Sequence, residues 1–118
     1  MDEVSTGAVS DTVAVIDGAV THGTIDPGEL GFAVPPNGVI SGGDPAHNAE
    51  VLRSVLNGTA GHERDVVVLN AAAAIHVAGR TETLQGAVEV AEASIDAGAA
   101  RERLDAFVAT TRRLGGPS

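Results

Sequence analysis

The sequence contains no cysteine, no lysine, no tryptophan and no tyrosine. Without cysteine, disulfides, iron–sulfur clusters and thiolate zinc sites are excluded, and thiol usage says nothing about redox compartment. All seven basic residues are arginine, set against sixteen acidic residues for a formal net charge of −9. That balance argues against non-specific nucleic-acid binding, which draws most of its free energy from cations placed against phosphates. Phe32 and Phe107 are the only members of the Phe, Trp and Tyr set, so there is no platform for stacking bases. The longest apolar run, residues 71–78, is interrupted by His76 and falls far short of the ~18 residues of a membrane span. Met1-Asp2-Glu3 offers neither a basic nor an apolar start, so no secretory signal is predicted. The expected setting is cytoplasmic, with neither nucleic acid nor membrane as a partner.

At 118 residues the chain has room for one modest domain, burying about 65% of its unfolded surface. Residues 12–16 and 19–25 are two β-rich runs separated by Asp17-Gly18. That dipeptide tolerates the positive φ angles of a type I′ turn, which predicts a β-hairpin. Residues 26–43 are rich in proline and glycine and read as a long connecting loop.

Asp44-Pro45 has the form of a helix start, a carboxylate able to accept an orphan amide followed by proline at the first helical position. Ala49, Leu52, Val55 and Leu56 then share a face, and Gly58 closes the helix. Periodicity alone does not separate helix from strand over residues 65–78, which are nearly all apolar. Four consecutive alanines and the length of the run favour a buried helix ending at Gly79. An apolar stripe through Leu84, Ala87, Val88, Ala91 and Ile95 predicts a further helix interrupted at Gly98. A second stripe, Ala100, Leu104, Phe107, Val108 and Thr111, carries helix onward, with the chain fraying from Leu114. Residues 66–78 and the stripe through Leu84, Val88, Ala91 and Ile95 are expected to need covering by elements this chain lacks, so that it associates with itself or with other apolar surfaces.

Gly42-Gly43-Asp44 precedes a helix N-terminus, as phosphate-cradling loops do. It lacks the spacing of a dinucleotide or nucleotide fingerprint, and Asp44 would repel an anion, so helix capping is the better reading. His22, His47, His62 and His76 are too scattered for a paired metal motif. No serine lies in a Gly-x-Ser-x-Gly setting, which leaves a hydrolase triad unsupported. Asn57-Gly58-Thr59 has the glycosylation pattern but reads as a helix-ending turn.

Several strings, taken in order, resemble the C-terminal part of anthranilate phosphoribosyltransferase. They are Asp2-Glu3; residues 25–32, Ile-Asp-Pro-Gly-Glu-Leu-Gly-Phe; residues 42–49, Gly-Gly-Asp-Pro-Ala-His-Asn-Ala; residues 64–74, beginning Arg64-Asp65 and containing Asn70; and residues 93–100, beginning Ala93-Ser94. The resemblance implies an α/β fold, of which residues 1–118 would be the C-terminal part of a phosphoribosyltransferase or nucleoside-phosphorylase-like catalytic domain. Alone, the chain would be an α+β fragment with an N-terminal hairpin and a C-terminal helical cluster. The implied activity is transfer of phosphoribosyl from PRPP to anthranilate in tryptophan biosynthesis, with Mg²⁺ as cofactor.

The acidic pair Asp2 and Glu3 matches the family's magnesium-holding residues, and carboxylates suit a hard cation that takes oxygen ligands. Asn48 and Asn70 are expected to be structural hydrogen-bonders joining loops to helix ends. The family's glycine-rich pyrophosphate loop, its lysine-containing stretch and its anthranilate-binding arginine lie upstream of the matched strings and do not occur here. The expected partners are therefore PRPP and anthranilate in the intact enzyme, the missing N-terminal portion or a complementing chain, and a second copy in a homodimer. The alternatives are a non-catalytic scaffold or regulatory relic of the family, or part of a pyrimidine nucleoside phosphorylase.

Overall fold

The structure is a computed structural model and describes residues 3–37 and 39–116. In chain order its elements are β1 (Ser10–Ile16), β2 (Ala19–Ile25), α1 (Pro45–Leu56), α2 (His62–Val77), α3 (Leu84–Asp96) and α4 (Ala99–Gly115). The expected hairpin followed by a helical cluster is what forms. Strands β1 and β2 pair antiparallel with Val15 opposite Val20 and Ile16 opposite Ala19. Asp17 and Gly18 take φ of 51° and 79°, the left-handed pair that a two-residue hairpin turn demands. The first strand starts at Ser10, two residues before the β-rich run suggested, because the ladder continues to the Ser10–Ile25 pair.

Each helix follows from local chemistry. The Asp44 carboxylate accepts the amide of His47 at 2.9 Å, capping α1 as expected. At the other end Gly58 has φ 88°. Its amide donates to Val55 O at 2.9 Å, and that of Thr59 to Ser54 O at 3.1 Å. These paired bonds satisfy the last carbonyls of α1 in a Schellman turn, so Asn57-Gly58-Thr59 is a helix stop as read. Helix α2 begins at His62, three residues before the apolar run, with Gly61 at its N-cap. Helix α3 is capped by Thr83, whose hydroxyl accepts the amide of Gly86 at 3.0 Å.

The core lies between α2 and α3. Val55 from α1, Val68 and Ala72 from α2, and Ala87, Val88, Ala91 and Ile95 from α3 form its buried cluster, with Phe32 of the connecting loop packed against it. The alanines at this contact let the two helices close on one another. Helices α2 and α3 therefore cover each other, and the stripe from Leu84 to Ile95 needs no outside partner. An ion pair from Arg64 Nη2 to Asp96 Oδ1 at 2.9 Å joins the same two helices. Arg101 of α4 donates to the Asn57 side chain at 2.9 Å.

Two expectations for α4 are corrected. No residue of this helix is fully buried, and Phe107 is 66% exposed. Ala100, Leu104 and Val108 recur every four residues and stay on the half-buried line, whereas Phe107 sits one residue, about 100°, off that line. The helix also continues through Leu114 to Gly115.

The radius of gyration is 16.0 Å, against about 13.5 Å for a compact domain of this length. The accessible surface is 8112 Å², against roughly 5,900 Å² for a compact monomer of this mass. The hairpin contributes to the excess, with Val13, Val15, Ile16 and Val20 each at least 60% exposed. Among the described residues no helix is long and apolar enough to cross a membrane.

Candidate functional site

The acidic pair opens the chain, and Asp2 lies outside the described residues. Glu3 is exposed, and among the described residues no hydrogen bond or ion pair engages its carboxylate. The backbone immediately after it is held firmly. Asn70 Oδ1 accepts the Val4 amide at 2.8 Å, and Asn70 Nδ2 donates to Val4 O at 2.9 Å. The same Nδ2 donates to Val66 O, one turn earlier on α2, at 2.9 Å. Asn70 is thus the structural hydrogen-bonder expected, and it joins two segments 66 positions apart.

Beyond Val4, the Ser5 hydroxyl accepts the amide of Gly7 at 3.0 Å. Thr6 is 1% exposed, with no hydrogen-bond partner for its hydroxyl among the described residues. This segment lies against the proline-rich loop and shares with Val34, Pro35, Pro36 and Asn37 a hollow of about 250 Å³. The chain from Glu3 to Gly7 therefore runs from an anchor on α2 into contact with the loop.

The Gly42-Gly43 turn is occupied by protein groups. Gly43 donates its amide to Asn48 Oδ1 at 2.8 Å and accepts from Asn48 Nδ2 at 2.9 Å. Its amide is thereby engaged, in keeping with a capping role and not an anion cradle. Asn48 is the second structural hydrogen-bonder expected. Close by, a groove of about 290 Å³ runs between the loop, α1 and α2, lined largely by apolar side chains including Ile40, Val51, Leu52 and Val66.

The four histidines stay apart. His22 is exposed on β2 and His47 is exposed on α1. His62 Nδ1 lies 3.7 Å from Asp65 Oδ2, and His76 Nδ1 lies 3.3 Å from Thr81 O. Among the described residues no group of three or more histidine, aspartate or glutamate side chains is placed to hold a metal ion. Any cation at Glu3 would need ligands from water, substrate or Asp2.

Sequence reasoning missed the buried Thr6 and the ion pair between Arg64 and Asp96. Arg64-Asp65 stood in a matched string, but its partner is 32 positions away and no local pattern announces the pairing.

Residues 1–101 match the glycosyl transferase family, a/b domain. The anthranilate phosphoribosyltransferase of Methylobacterium nodulans is 46% identical over 111 residues, covering 94% of this chain and 33% of that protein. That of Xanthobacter autotrophicus is 41% identical over 114 residues, covering 97% of this chain and 33% of that protein. The crystal structure of anthranilate phosphoribosyltransferase (TrpD) from Thermus thermophilus is similar with a TM-score of 0.78 and 31% identity, over 92% of this chain and 32% of that one. The chain thus spans about a third of the length of the relatives it matches.

Proposed function

The chain belongs to the glycosyl transferase family, a/b domain, and on that premise we propose that it provides the acidic pair and the helical scaffold of an anthranilate phosphoribosyltransferase. The observation that carries this reading is 46% identity to such an enzyme over 94% of the chain. The substrates on this reading are PRPP and anthranilate, and the groups that bind them come from sequence beyond these 118 residues or from a second chain.

The donor chemistry at the start of the chain fits magnesium. Adjacent carboxylates are hard oxygen ligands, and Mg²⁺ commonly takes one or two of them together with substrate phosphates and water. Asp2 and Glu3 would hold the ion, and Glu3 has an exposed carboxylate with no competing partner among the described residues. When bound, the ion supplies positive charge against the pyrophosphate group as it leaves. The rest is positioning, which can contribute as much to a rate as charge does. In this chain α2 and α3 make the rigid body, and the Arg64–Asp96 pair and the Asn70 bonds tie the segments to it.

Anthranilate fluorescence tests the reading. The purified chain alone is expected to give no PRPP-dependent loss of signal, whereas co-expression with a segment matching the other two thirds of the relatives restores it. In that restored enzyme, Asp2→Asn combined with Glu3→Gln lowers kcat/KM roughly a hundredfold, equivalent to ~3 kcal/mol of transition-state stabilisation. Turnover by the isolated chain, or near-normal kcat/KM in the double variant, would overturn the assignment.

A further inference from the structure

Asn70 is more than a tether between two distant segments, because of where its three hydrogen bonds fall. The Val4 amide it accepts belongs to the peptide unit whose other end is the Glu3 carbonyl and Cα. That unit is planar, so fixing the direction of its N–H fixes the plane on which Glu3 is carried. The bond from Nδ2 to Val4 O holds the next peptide unit as well. The residue after Glu3 is thus held on both sides, much as a neighbouring strand would hold it. The clamp is itself rigid. Nδ2 also bonds Val66 O on the same helix, and the adjacent Leu69 is fully buried. Glu3 keeps only its own torsions free, and its carboxylate stays exposed.

We propose that Asn70 is a positioning residue for the metal-holding Glu3, fixing the backbone at Val4 and so narrowing the range of positions from which the Glu3 carboxylate meets a divalent cation. The inference rests on the metal role given above to Asp2 and Glu3. Carboxylates on a free terminus would have to be ordered by the ion itself, and that ordering lowers affinity. Partners that orient a metal ligand without touching the ion commonly govern affinity for this reason.

The test uses the ¹⁵N-labelled 118-residue chain titrated with Mn²⁺, a paramagnetic substitute for magnesium, reading the broadening of the Glu3 and Val4 amide signals. Two variants are compared with the parent. Asn70→Leu keeps the branched shape and the number of side-chain heavy atoms and removes all three bonds. Asn70→Asp keeps the acceptor for the Val4 amide but turns a second oxygen toward Val4 O and Val66 O. It also adds a negative charge near the site, so electrostatics alone would tighten Mn²⁺ binding, whereas loss of positioning weakens it. Binding roughly 10- to 100-fold weaker in both variants, with unchanged amide shifts in α3 and α4, is the expected result. If Asn70→Leu fails to fold, the near-isosteric Asp variant decides. Parent-like or tighter binding in Asn70→Asp overturns the proposal. An Asp2→Asn, Glu3→Gln chain serves as the control. If it broadens like the parent, or if the parent does not broaden at Glu3, the metal role of the pair fails and the inference fails with it. If only the control loses binding, the metal role stands and the positioning role alone is wrong.

Discussion

Leu69 is fully buried and Phe107 is 66% exposed, although both belong to apolar runs in the sequence. Burial decides how much each contributes, because the hydrophobic term scales with the area removed from water. Leu69→Ala empties a fully buried site on α2 and is expected to cost about 2–5 kcal/mol. Phe107→Ala removes a side chain that is already wet and should change stability by less than ~0.5 kcal/mol. Urea unfolding followed by circular dichroism checks both, and a loss at Phe107 equal to that at Leu69 would mean that α4 packs more deeply than described. The Asn70 clamp and the Arg64–Asp96 pair are residue-scale features too. Each depends on segments that meet only after folding, so neither could be read from spacing.

At the scale of elements, most of what was legible came from the ends. Asp17-Gly18, Asp44-Pro45 and Asn57-Gly58-Thr59 each specify a local geometry within a few residues, and each forms as read. The start of α2 was not legible, because Gly61 provides no side-chain cap and the residues from His62 to Arg64 are polar. The face of α4 was misread because Phe107 and Val108 are neighbours in the stripe, and only the packed helix shows which one lies along Leu104. Gly98 carries two tasks. It is the N-cap of α4, with φ 80°, and it closes the end of α3, where its amide bonds Ile95 O at 3.0 Å. A Cβ there would meet nothing within 4 Å, so the cost of Gly98→Ala is conformational alone. A left-handed conformation costs a residue with a Cβ about 1–2 kcal/mol. Gly98→Ala is therefore expected to lower the urea midpoint by that equivalent, and Gly98→Asn by less, since asparagine tolerates this conformation. Equal stability in the parent and the Ala variant would show that the α3–α4 corner relaxes without strain.

The whole molecule exposes more surface than its mass calls for. The 8112 Å² observed exceeds the compact-monomer figure by about 2,200 Å², comparable to the total buried in a sizeable protein–protein interface. Its location matters as much as its amount. Apolar side chains are left exposed on the hairpin, at Val13, Val15, Ile16 and Val20, on α4, at Phe107 and Leu114, and singly at Val34 in the loop and Val77 at the end of α2. An isolated two-stranded hairpin is marginal in water, and its open edges invite pairing. These surfaces favour association, while a net charge of −9 opposes it through self-repulsion. Salt shortens the reach of that repulsion to about 10 Å at 0.1 M and about 3 Å at 1 M. Added sodium chloride is therefore expected to shift the purified chain toward species heavier than 11.8 kDa in sedimentation velocity. Val13→Thr with Val15→Thr, which keep β-branched side chains on the strand while lowering its apolar surface, should reverse that shift without changing the helical signal. A chain that stays monomeric at every salt concentration and melts in one cooperative transition would show that the hairpin is stable uncovered, and would favour the independent scaffold over a part of the transferase.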